Sequence, residues 1–319
     1  MSLRNAALIA ALGCACVSVA QPFPSRPVKV IVPLAAAGTG DTLARVVSEE
    51  MGRILKQPFV VENRPGSGGI IGTEAVARSA PDGHTLLLAG PYHVINPLLR
   101  PKSGYDALKD FEPVTLIANT FQLLLAHPSV PAGTVAELVA HVKRNPGKLN
   151  YGSAGSGSAT HLNAELFKLA TGTFIVHIPY RGSTQARQDL VAGEVQLAVD
   201  GLLPTLALIR AGKLKALALT ATRRAAIAPE IPTMAEAGVP GYVSDTWYGF
   251  VVPAATPRET VAILHASALK AMQAPAVRER LQGQGAEVAG NSPAEFRQLM
   301  EREQALWAKV IKDSGAKAD

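Results

Sequence analysis

The sequence predicts an α/β fold with two lobes. Short apolar runs typical of strands alternate with amphipathic helical stretches from Val28 to Ala89, and the same alternation begins again after Thr120. A β-α-β-α-β order favours a mainly parallel sheet flanked by helices. The chain has 319 residues, which is more than one hydrophobic core usually serves, so two such lobes are expected.

Residues 1–20 have the features of a cleaved secretory signal. Arg4 precedes an unbroken run of apolar and small residues from Ala6 to Val17, and small residues follow it before Gln21. This run is shorter than the roughly 20 apolar residues that a membrane-spanning helix needs. We therefore expect a periplasmic mature protein that begins near Gln21. A lipoprotein acylated on Cys14 is the alternative.

Cysteine positions, charge and histidine spacing argue against thiol chemistry, nucleic-acid binding and metal binding. Both cysteines, Cys14 and Cys16, lie within the predicted signal, so the mature chain is expected to have no disulfide and no thiol chemistry. The net charge of +6 is scattered and aromatic residues make up 5% of the chain, which argues against nucleic acid as a partner. The seven histidines show no HxxxH or HExxH spacing. We expect neither a metal nor a cofactor.

The first lobe is predicted to alternate strands, loops and helices. Loops that follow parallel strands meet at the carboxyl edge of the sheet, where ligands bind in such folds. In chain order, the predicted elements are a strand at Val28–Leu34, a small-residue loop at Ala35–Gly40, a helix at Thr42–Leu55 that Asp41 opens, a strand at Phe59–Val61, a glycine loop at Asn63–Gly69, a helix at Gly72–Ala80 and a strand at His84–Ala89.

The second lobe is predicted between two chain crossings, near Asn119-Thr120 and Asp245-Thr246. This division assigns residues 21–119 and 246–319 to the first lobe and residues 120–245 to the second. The C-terminal helices are expected to pack on the first lobe, and the last of them begins with a capping box at Ser292–Glu295. Predicted elements of the second lobe are helices at Thr134–Arg144, Leu162–Leu169, Thr184–Ala192 and Pro204–Ala211 and strands at Lys148–Tyr151, Phe174–Pro179, Val195–Val199 and Leu214–Leu219.

The segment Tyr151–His161, Y-G-S-A-G-S-G-S-A-T-H, is the strongest functional signal. Its order of strand, glycine loop and helix frees backbone N–H groups, and Ser158 or Thr160 is placed to cap the helix. First-turn donors and the helix dipole then favour an anion such as a carboxylate or phosphate. The alternative is that this loop merely connects the strand to the helix and binds no ligand. A second arrangement of the same kind at Ala35–Gly40 favours the ligand-binding role.

Five segments of the chain form a recognisable set: Asn63–Gly69, Ala80–Gly83, Tyr151–His161, His177–Ser183 and Pro232–Tyr242. In this order they resemble one family, the periplasmic solute-binding proteins of tripartite tricarboxylate transporters (TctC/Bug). The resemblance implies a two-lobed Venus-flytrap fold that holds a small carboxylate through backbone N–H groups, hydroxyls and water. It also implies membrane transporter subunits as partners, and we expect a monomer.

The first loop departs from the family pattern, which has two adjacent glycines and then a threonine directly before the aspartate. Here Ala37-Gly38 takes the place of the glycines, and Thr39-Gly40 precedes Asp41. The hydroxyl group is therefore displaced by one residue. This difference bears on ligand identity more than on the fold.

The candidate ligand-binding residues lie on or beside these loops. Four of them have an alternative role. For Asp41 it is the cap of its helix, for Asp200 it is the cap of the helix at Pro204 instead of a contact with an ammonium or a water, and for Tyr92 and His161 it is packing alone. The full set is Ala37, Gly38, Thr39, Gly40, Asp41, Gly68, Gly69, Tyr92, Ser153, Ala154, Gly155, Ser156, Gly157, Ser158, Thr160, His161 and Asp200.

Two other functional classes are alternatives to a transporter receptor. An exported α/β enzyme is disfavoured because neither Ser156 nor Ser158 lies in a G-x-S-x-G frame, and the chain has no G-x-G-x-x-G or P-loop motif. The other alternative is a binding protein that reports to a membrane sensor instead of a transporter.

Overall fold

The computed structural model of the protein describes residues 23–244 and 246–318. The chain forms two β-sheets flanked by helices, so the predicted α/β class is confirmed. The signal and lipoprotein predictions fall on residues 1–20, outside the described residues, as does Asp245. Within the part of the chain that is described, no helix is long and apolar enough to cross a membrane.

Among the described residues, the first lobe contains six strands and six α-helices. Its strands are β1 (Val28–Val32), β2 (Phe59–Asn63), β3 (Thr85–Ala89), β4 (Phe111–Thr120), β10 (Thr246–Pro253) and β11 (Ala286–Val288). Its helices are α1 (Thr39–Leu55), α2 (Ile70–Ala77), α3 (Pro91–Leu99), α8 (Arg258–Gln273), α9 (Pro275–Gly283) and α10 (Pro293–Ser314). The strands lie side by side in the order β11-β4-β10-β3-β1-β2.

In the part of the second lobe that the structure describes, there are five strands and four helices. Its strands are β5 (Gln122–Ala126), β6 (Asn150–Ser153), β7 (Val176–Pro179), β8 (Leu197–Gly201) and β9 (Lys215–Leu219). Its helices are α4 (Val135–Arg144), α5 (Ala159–Thr171), α6 (Ser183–Ala192) and α7 (Leu202–Arg210). The strand order is β7-β6-β8-β5-β9.

Both sheets are mixed, which corrects the prediction of mainly parallel sheets. Strand β1 pairs in parallel with β2 and β3, and β6 pairs in parallel with β7 and β8. Strand β10 is antiparallel to β3 and β4, and β5 is antiparallel to β8 and β9. The chain leaves the first lobe through β4 and returns through β10, so these two neighbouring strands must run in opposite directions.

The two crossings between the lobes lie side by side. Strand β4 ends at Thr120, and β5 begins at Gln122 in the other sheet. Thr120 pairs with Thr246, the first residue of the returning strand, and its Oγ1 atom donates a 3.3 Å hydrogen bond to the Thr246 carbonyl. The chain thus enters and leaves the second lobe at adjacent points.

The last helix, which the sequence predicted to pack on the first lobe, also contacts the second lobe. Helix α10 lies against α3 and β4 and also against α5 of the second lobe. Its 22 residues span roughly 33 Å at 1.5 Å per residue, which is long enough to reach from one lobe to the other. Trp307 and Val310 are buried in this packing, and the Ser292–Glu295 capping box is present.

Helix α1 buries the apolar face that its sequence predicts and begins three residues earlier than expected. Leu43, Val47 and Met51 are fully buried. Burial of each such side chain contributes about 1.5–3 kcal/mol. The Gly38 residue is extended, and its carbonyl accepts from the Thr42 N–H at 3.0 Å, so the first turn includes Thr39, Gly40 and Asp41.

Candidate ligand-binding site

A cleft between the lobes contains a chamber of about 480 Å³, called here the α5 chamber. Residues of both sheets line it, because the loops that follow their strands converge there. The lining residues are Leu34, Gly68, Pro91, Tyr92, Ile95, Asn96, Arg100, Gln122, Ala154, Ser156, Gly157, Ser158, Ala159, Thr160, Ser183, Thr246 and Tyr248.

A second chamber of about 530 Å³, called here the α1 chamber, adjoins the first. Four residues line both chambers: Gln122, Ser183, Thr246 and Tyr248. The loop that precedes α1 contributes Ala37, Gly38 and Thr39, and the second lobe contributes Thr184, Arg187, Asp200 and the start of α7. The two predicted anion loops therefore border neighbouring parts of one cleft.

Side chains of the central loop hold the start of α5 in place. Ser158 is the N-cap, and its Oγ atom accepts from the His161 N–H at 3.2 Å. The Thr160 Oγ1 atom accepts from the Ala154 N–H at 2.9 Å and lies 3.0 Å from Ser158 Oγ. The sequence left the cap open between these two hydroxyls, and the structure gives that role to Ser158.

Several N–H groups of the central loop already have acceptors within the protein. These donors therefore stabilise the loop and do not face a ligand. The pairs are Ala154 to Thr160 Oγ1 at 2.9 Å, Gly155 to Ser153 Oγ at 3.1 Å, Gly157 to His161 Nδ1 at 2.9 Å and Ser158 to the Gly155 carbonyl at 3.1 Å.

Three other N–H groups of the same segment have no acceptor in the described chain: those of Ser156, Ala159 and Thr160. Ala159 and Thr160 are the first two residues of α5, and the first N–H groups of a helix have no partner within that helix. All three residues line the α5 chamber. The open donors lie at the positive end of a 13-residue helix, an arrangement that favours an anion.

The Asp41 carboxylate supports the first loop from within. It accepts from the Ala37 N–H at 2.9 Å, from Asn63 Nδ2 at 2.8 Å and from Arg45 Nε at 3.1 Å. Burial alone would raise the pKa of Asp41, but the hydrogen bonds from Arg45, Ala37 and Asn63 outweigh burial and lower the pKa. The side chain is buried, and it does not line either chamber.

Asp200 lines the α1 chamber as part of an ion pair. Its Oδ2 atom lies 2.7 Å from Arg187 Nε, and its Oδ1 atom accepts from the Gly201 N–H at 2.7 Å. The N-cap of α7 is Gly201, so Asp200 precedes the cap. Because Arg187 neutralises this carboxylate, Asp200 does not leave an unbalanced negative charge beside an incoming anion.

Gly68 and Tyr92 line the α5 chamber from the first lobe. The Gly68 carbonyl accepts from Asn96 Nδ2 at 3.0 Å, which fixes the second glycine loop against α3. The Tyr92 hydroxyl donates to the Leu88 carbonyl, so this tyrosine presents its ring to the chamber. Burial, with smaller effects from Tyr248 and Tyr105, raises the pKa of Tyr92 well above its ordinary value, so the hydroxyl stays neutral.

Four further predicted residues lie behind the two chambers, and none of them lines either one: Gly40, Gly69, Gly155 and His161. A Cβ atom on Gly40 would lie 2.8 Å from a Leu34 methyl group, so that position permits a close approach of side chains. Ser153 is buried at the end of β6, also behind the chambers.

The structure adds cleft residues that sequence reasoning missed. Gln122 and Thr246 lie at the two predicted crossings, so the crossings themselves were a usable signal for them. Asn96 and Arg100 belong to α3 and its end, a helix that was not predicted, and Pro97 inside it weakens the sequence pattern. Arg100 brings a positive charge to the α5 chamber, which suits an anionic ligand. Within residues 23–244 and 246–318, no cluster of side chains suited to a metal ion is present.

Comparison with known proteins gives structures of the same architecture. Rpa4515 of R. palustris, solved with adipate, is 37% identical, with a TM-score of 0.80, and the match covers 92% of this chain and 99% of that one. MatC from Rhodopseudomonas palustris, solved with bound malate, is 35% identical, with a TM-score of 0.77 and coverage of 91% and 100%. The periplasmic binding protein BugD is 35% identical, with a TM-score of 0.78 and coverage of 93% and 100%.

These similarities confirm the two-lobed periplasmic binding protein fold. The family and these neighbours are binding proteins. The family model described as "Tripartite tricarboxylate transporter family receptor" matches residues 43–316 of the sequence, which covers both lobes. The protein therefore belongs to the tripartite tricarboxylate transporter receptor family, as the resemblance of its segments predicted.

Proposed function

We propose that this protein captures a small carboxylate between its lobes in the periplasm and delivers it to the membrane subunits of a tripartite tricarboxylate-type transporter. The observation that carries the proposal is the set of open N–H groups at Ser156, Ala159 and Thr160, which border a chamber that also contains Arg100. The relatives solved with adipate and malate support a carboxylate as the ligand class.

In this proposal, the start of α5 binds one carboxylate group and the first loop approaches from the opposite lobe. Hydrogen bonds to a charged group contribute about 1.5–3 kcal/mol each, so three backbone donors give substantial affinity without an arginine clamp. The N–H group of Thr39, which lines the α1 chamber, has no acceptor among the described residues and provides a donor at the start of α1.

The proposed contact set is a subset of the sequence candidates. Six candidates act on the ligand indirectly, because they hold the loops in place without lining either chamber: Asp41, Gly40, Gly69, Ser153, Gly155 and His161. The residues proposed to face the ligand are Ala37, Gly38, Thr39, Gly68, Tyr92, Ala154, Ser156, Gly157, Ser158, Thr160 and Asp200, which border one chamber or the other.

Isothermal titration calorimetry on the chain from Gln21 tests the ligand class. Malate and adipate are compared with their neutral diamides at pH 7, together with acetate and a tricarboxylate. We expect at least one acid to bind and its diamide not to bind, since the open donors and Arg100 recognise negative charge. Equal affinity for acid and diamide, or binding of none of the acids, would contradict the proposal.

Export, monomeric state and partner are also part of the proposal. Intact-mass analysis of the exported product should give a chain that begins at or near Gln21, whereas a diacylglycerol adduct on Cys14 would favour the lipoprotein. Light scattering should give the mass of one chain. Pull-down with solubilised membranes should recover transporter subunits, and recovery of a sensor kinase would favour the alternative partner. A bound acid recovered unchanged after prolonged incubation is expected for a binding protein.

A further inference from the structure

We propose that His161 and His177 are positioning residues that hold the central loop in its ligand-binding conformation, and that protonation of His161 weakens binding. This inference rests on the proposed carboxylate binding at Ser156 and Thr160. It begins from the Gly157 N–H, which donates to His161 Nδ1 at 2.9 Å and therefore does not face the ligand.

The contact with Gly157 determines the tautomer of His161. A backbone N–H can only donate, so the ring nitrogen that receives it must carry no proton. His161 is therefore neutral, with its proton on Nε2, whenever this hydrogen bond exists. The Nε2 atom lies 3.8 Å from Glu165 Oε1. A second proton on the ring would occupy Nδ1 and break the bond to Gly157.

His177 holds the other end of the same loop. Its Nε2 atom lies 2.7 Å from Ser153 Oγ, and that hydroxyl accepts from the Gly155 N–H at 3.1 Å. The His161 and His177 rings are stacked, with centroids 4.0 Å apart and an angle of 6° between their planes. Two imidazolium rings at this distance would repel, so the stack favours at least one neutral histidine.

Charged and polar groups near the pair come from several elements. From α5, Glu165 lies near His161, and Lys168 Nζ binds its carboxylate at 2.7 Å. From β6, the Tyr151 hydroxyl donates to Glu165 Oε1 at 2.5 Å, and its ring stacks on His177 at 4.8 Å. From the first lobe, Arg100 lines the same chamber as Gly157, and α10, which packs against α5, carries the buried Glu303.

Loss of the Gly157 bond affects the ligand through the neighbouring donors. Ser156 and Ser158 flank Gly157, and the open Ser156 N–H is aimed by the conformation of this loop. A loop without its anchor must be ordered when the ligand binds, which lowers affinity. Because Lys168 already pairs with Glu165, a protonated His161 adds positive charge near the loop, and we expect the loss of loop order to outweigh the attraction of that charge for the anion.

Three variants separate positioning from general stability. His161→Asn keeps an acceptor near the place of Nδ1 but does not titrate, His161→Leu removes the acceptor, and His141→Asn on α4 is the matched control. In nitrogen-15 NMR spectra of the ligand-free chain from Gln21, we expect the Nε2–H tautomer for His161. The Gly157 amide resonance should shift with pH together with the His161 ring, and it should be independent of pH in H161N.

Calorimetry with malate and adipate between pH 8 and 6, where their carboxylates are mostly ionised, gives the second readout. The affinity of the wild type and of H141N should fall about fivefold or more toward pH 6. A fivefold loss corresponds to ~1 kcal/mol, which is the typical net contribution of one neutral hydrogen bond. H161L should bind weakly at both values, and H161N should recover most of the affinity with a flat profile.

The inference is overturned if the Gly157 resonance does not follow His161, or if H161L keeps the affinity and pH profile of the wild type. The NMR experiment needs no ligand. Failure of both acids to bind the wild type would therefore count against the proposed function, while the NMR result still decides the role of His161.

Discussion

The Ala37 N–H donates a 2.9 Å hydrogen bond to Asp41 Oδ2, four residues further along the chain. The aspartate in the first turn of α1 thus fixes the conformation of the loop that precedes this helix. Asn63, at the end of β2, donates to the other oxygen of the same carboxylate at 2.8 Å. The first loop is consequently attached both to its helix and to the neighbouring strand.

Asp41→Asn should lower the free energy of unfolding by about 1–3 kcal/mol at pH 7, because an amide NH₂ would face donors from Asn63 or Arg45. Since the pKa of Asp41 is lowered in the folded state, its stabilisation is present at neutral pH and is lost as pH falls through that pKa. Urea denaturation at pH 7 and at pH 3 should show a smaller difference between variant and wild type at pH 3. Asp313→Asn, in a surface pair with Lys309, should change stability by less than about 0.5 kcal/mol at either pH. A D41N variant as stable as D313N would contradict the prediction.

Glycine substitutions should distinguish the binding loop from the opposite end of the same helix. Gly155 has a φ of 118°, and a Cβ atom there would lie 3.1 Å from the Tyr180 carbonyl oxygen. Gly172, which caps the end of α5, has a φ of 61° and no atom within 4 Å of such a Cβ. Gly172→Ala should cost about 1–2 kcal/mol of stability and leave affinity unchanged.

Gly155→Val and Gly157→Val should each abolish binding while the fold is retained. At Gly157 an added Cβ would also lie 2.8 Å from a Leu99 methyl group across the cleft. Calorimetry on variants with wild-type circular dichroism is the measurement. Unchanged affinity in a folded Gly155 variant would rule out the proposed conformation of the central loop.

Two helix caps of the same chemistry should have different consequences for binding. Ser158 caps α5 beside the α5 chamber, and Ser292 caps α10. Replacement of either serine by alanine should lower the free energy of unfolding by about 1 kcal/mol. Only Ser158→Ala should also lower affinity, because Ser158 Oγ contacts Thr160 Oγ1 next to the open donors. Thermal unfolding and calorimetry on both variants test this, and an equal loss of affinity in the two would contradict it.

The buried His93 should make folding less favourable in mild acid. Burial lowers its pKa to about 4, against a partial opposing effect of its hydrogen bond to the Ala107 carbonyl. An unfolded histidine takes up its proton near pH ~6.5. Between these values the unfolded state binds more protons, so stability should fall with decreasing pH, by at most about 1.4 kcal/mol per pH unit for one group. His93→Gln, which keeps a donor for Ala107, should have a shallower slope in urea denaturation from pH 7 to 4.5. An unchanged slope would assign the acid sensitivity to other groups.

Ligand binding should bring the lobes together. The adjacent crossings at Thr120 and Thr246 allow bending without disruption of either core, and closure would remove water from the open donors and strengthen their contacts. The chain from Gln21 has no cysteine, so Lys143→Cys on α4 and Gln273→Cys on α8 provide two exposed labelling sites, one on each lobe. Energy transfer between the labels should change when a tight ligand is added. No change with such a ligand would favour a preformed pocket.

Local features of the site were predictable from sequence because they depend on neighbouring residues. The strand, glycine loop and helix order around Tyr151–His161, the cap of α5 and the capping box at Ser292 all follow from short-range geometry. The crossings near Thr120 and Thr246 were also predicted, since an unusually long apolar run marks the first of them. The sequence by itself therefore determined the class of fold and the two loops that border the cleft.

Only the tertiary structure decided which groups of those loops face the cleft. The Gly157 N–H donates to His161 instead of facing the cleft. The Asp41 carboxylate accepts from Ala37 and Asn63 instead of lining a chamber. In both cases a protein partner, either one helical turn away or distant in the chain, takes up the hydrogen-bonding group. The contact of α10 with both lobes likewise depends on long-range packing. Residue spacing shows where polar groups cluster along the chain, but a buried hydrogen bond forms with whichever partner the fold brings within reach.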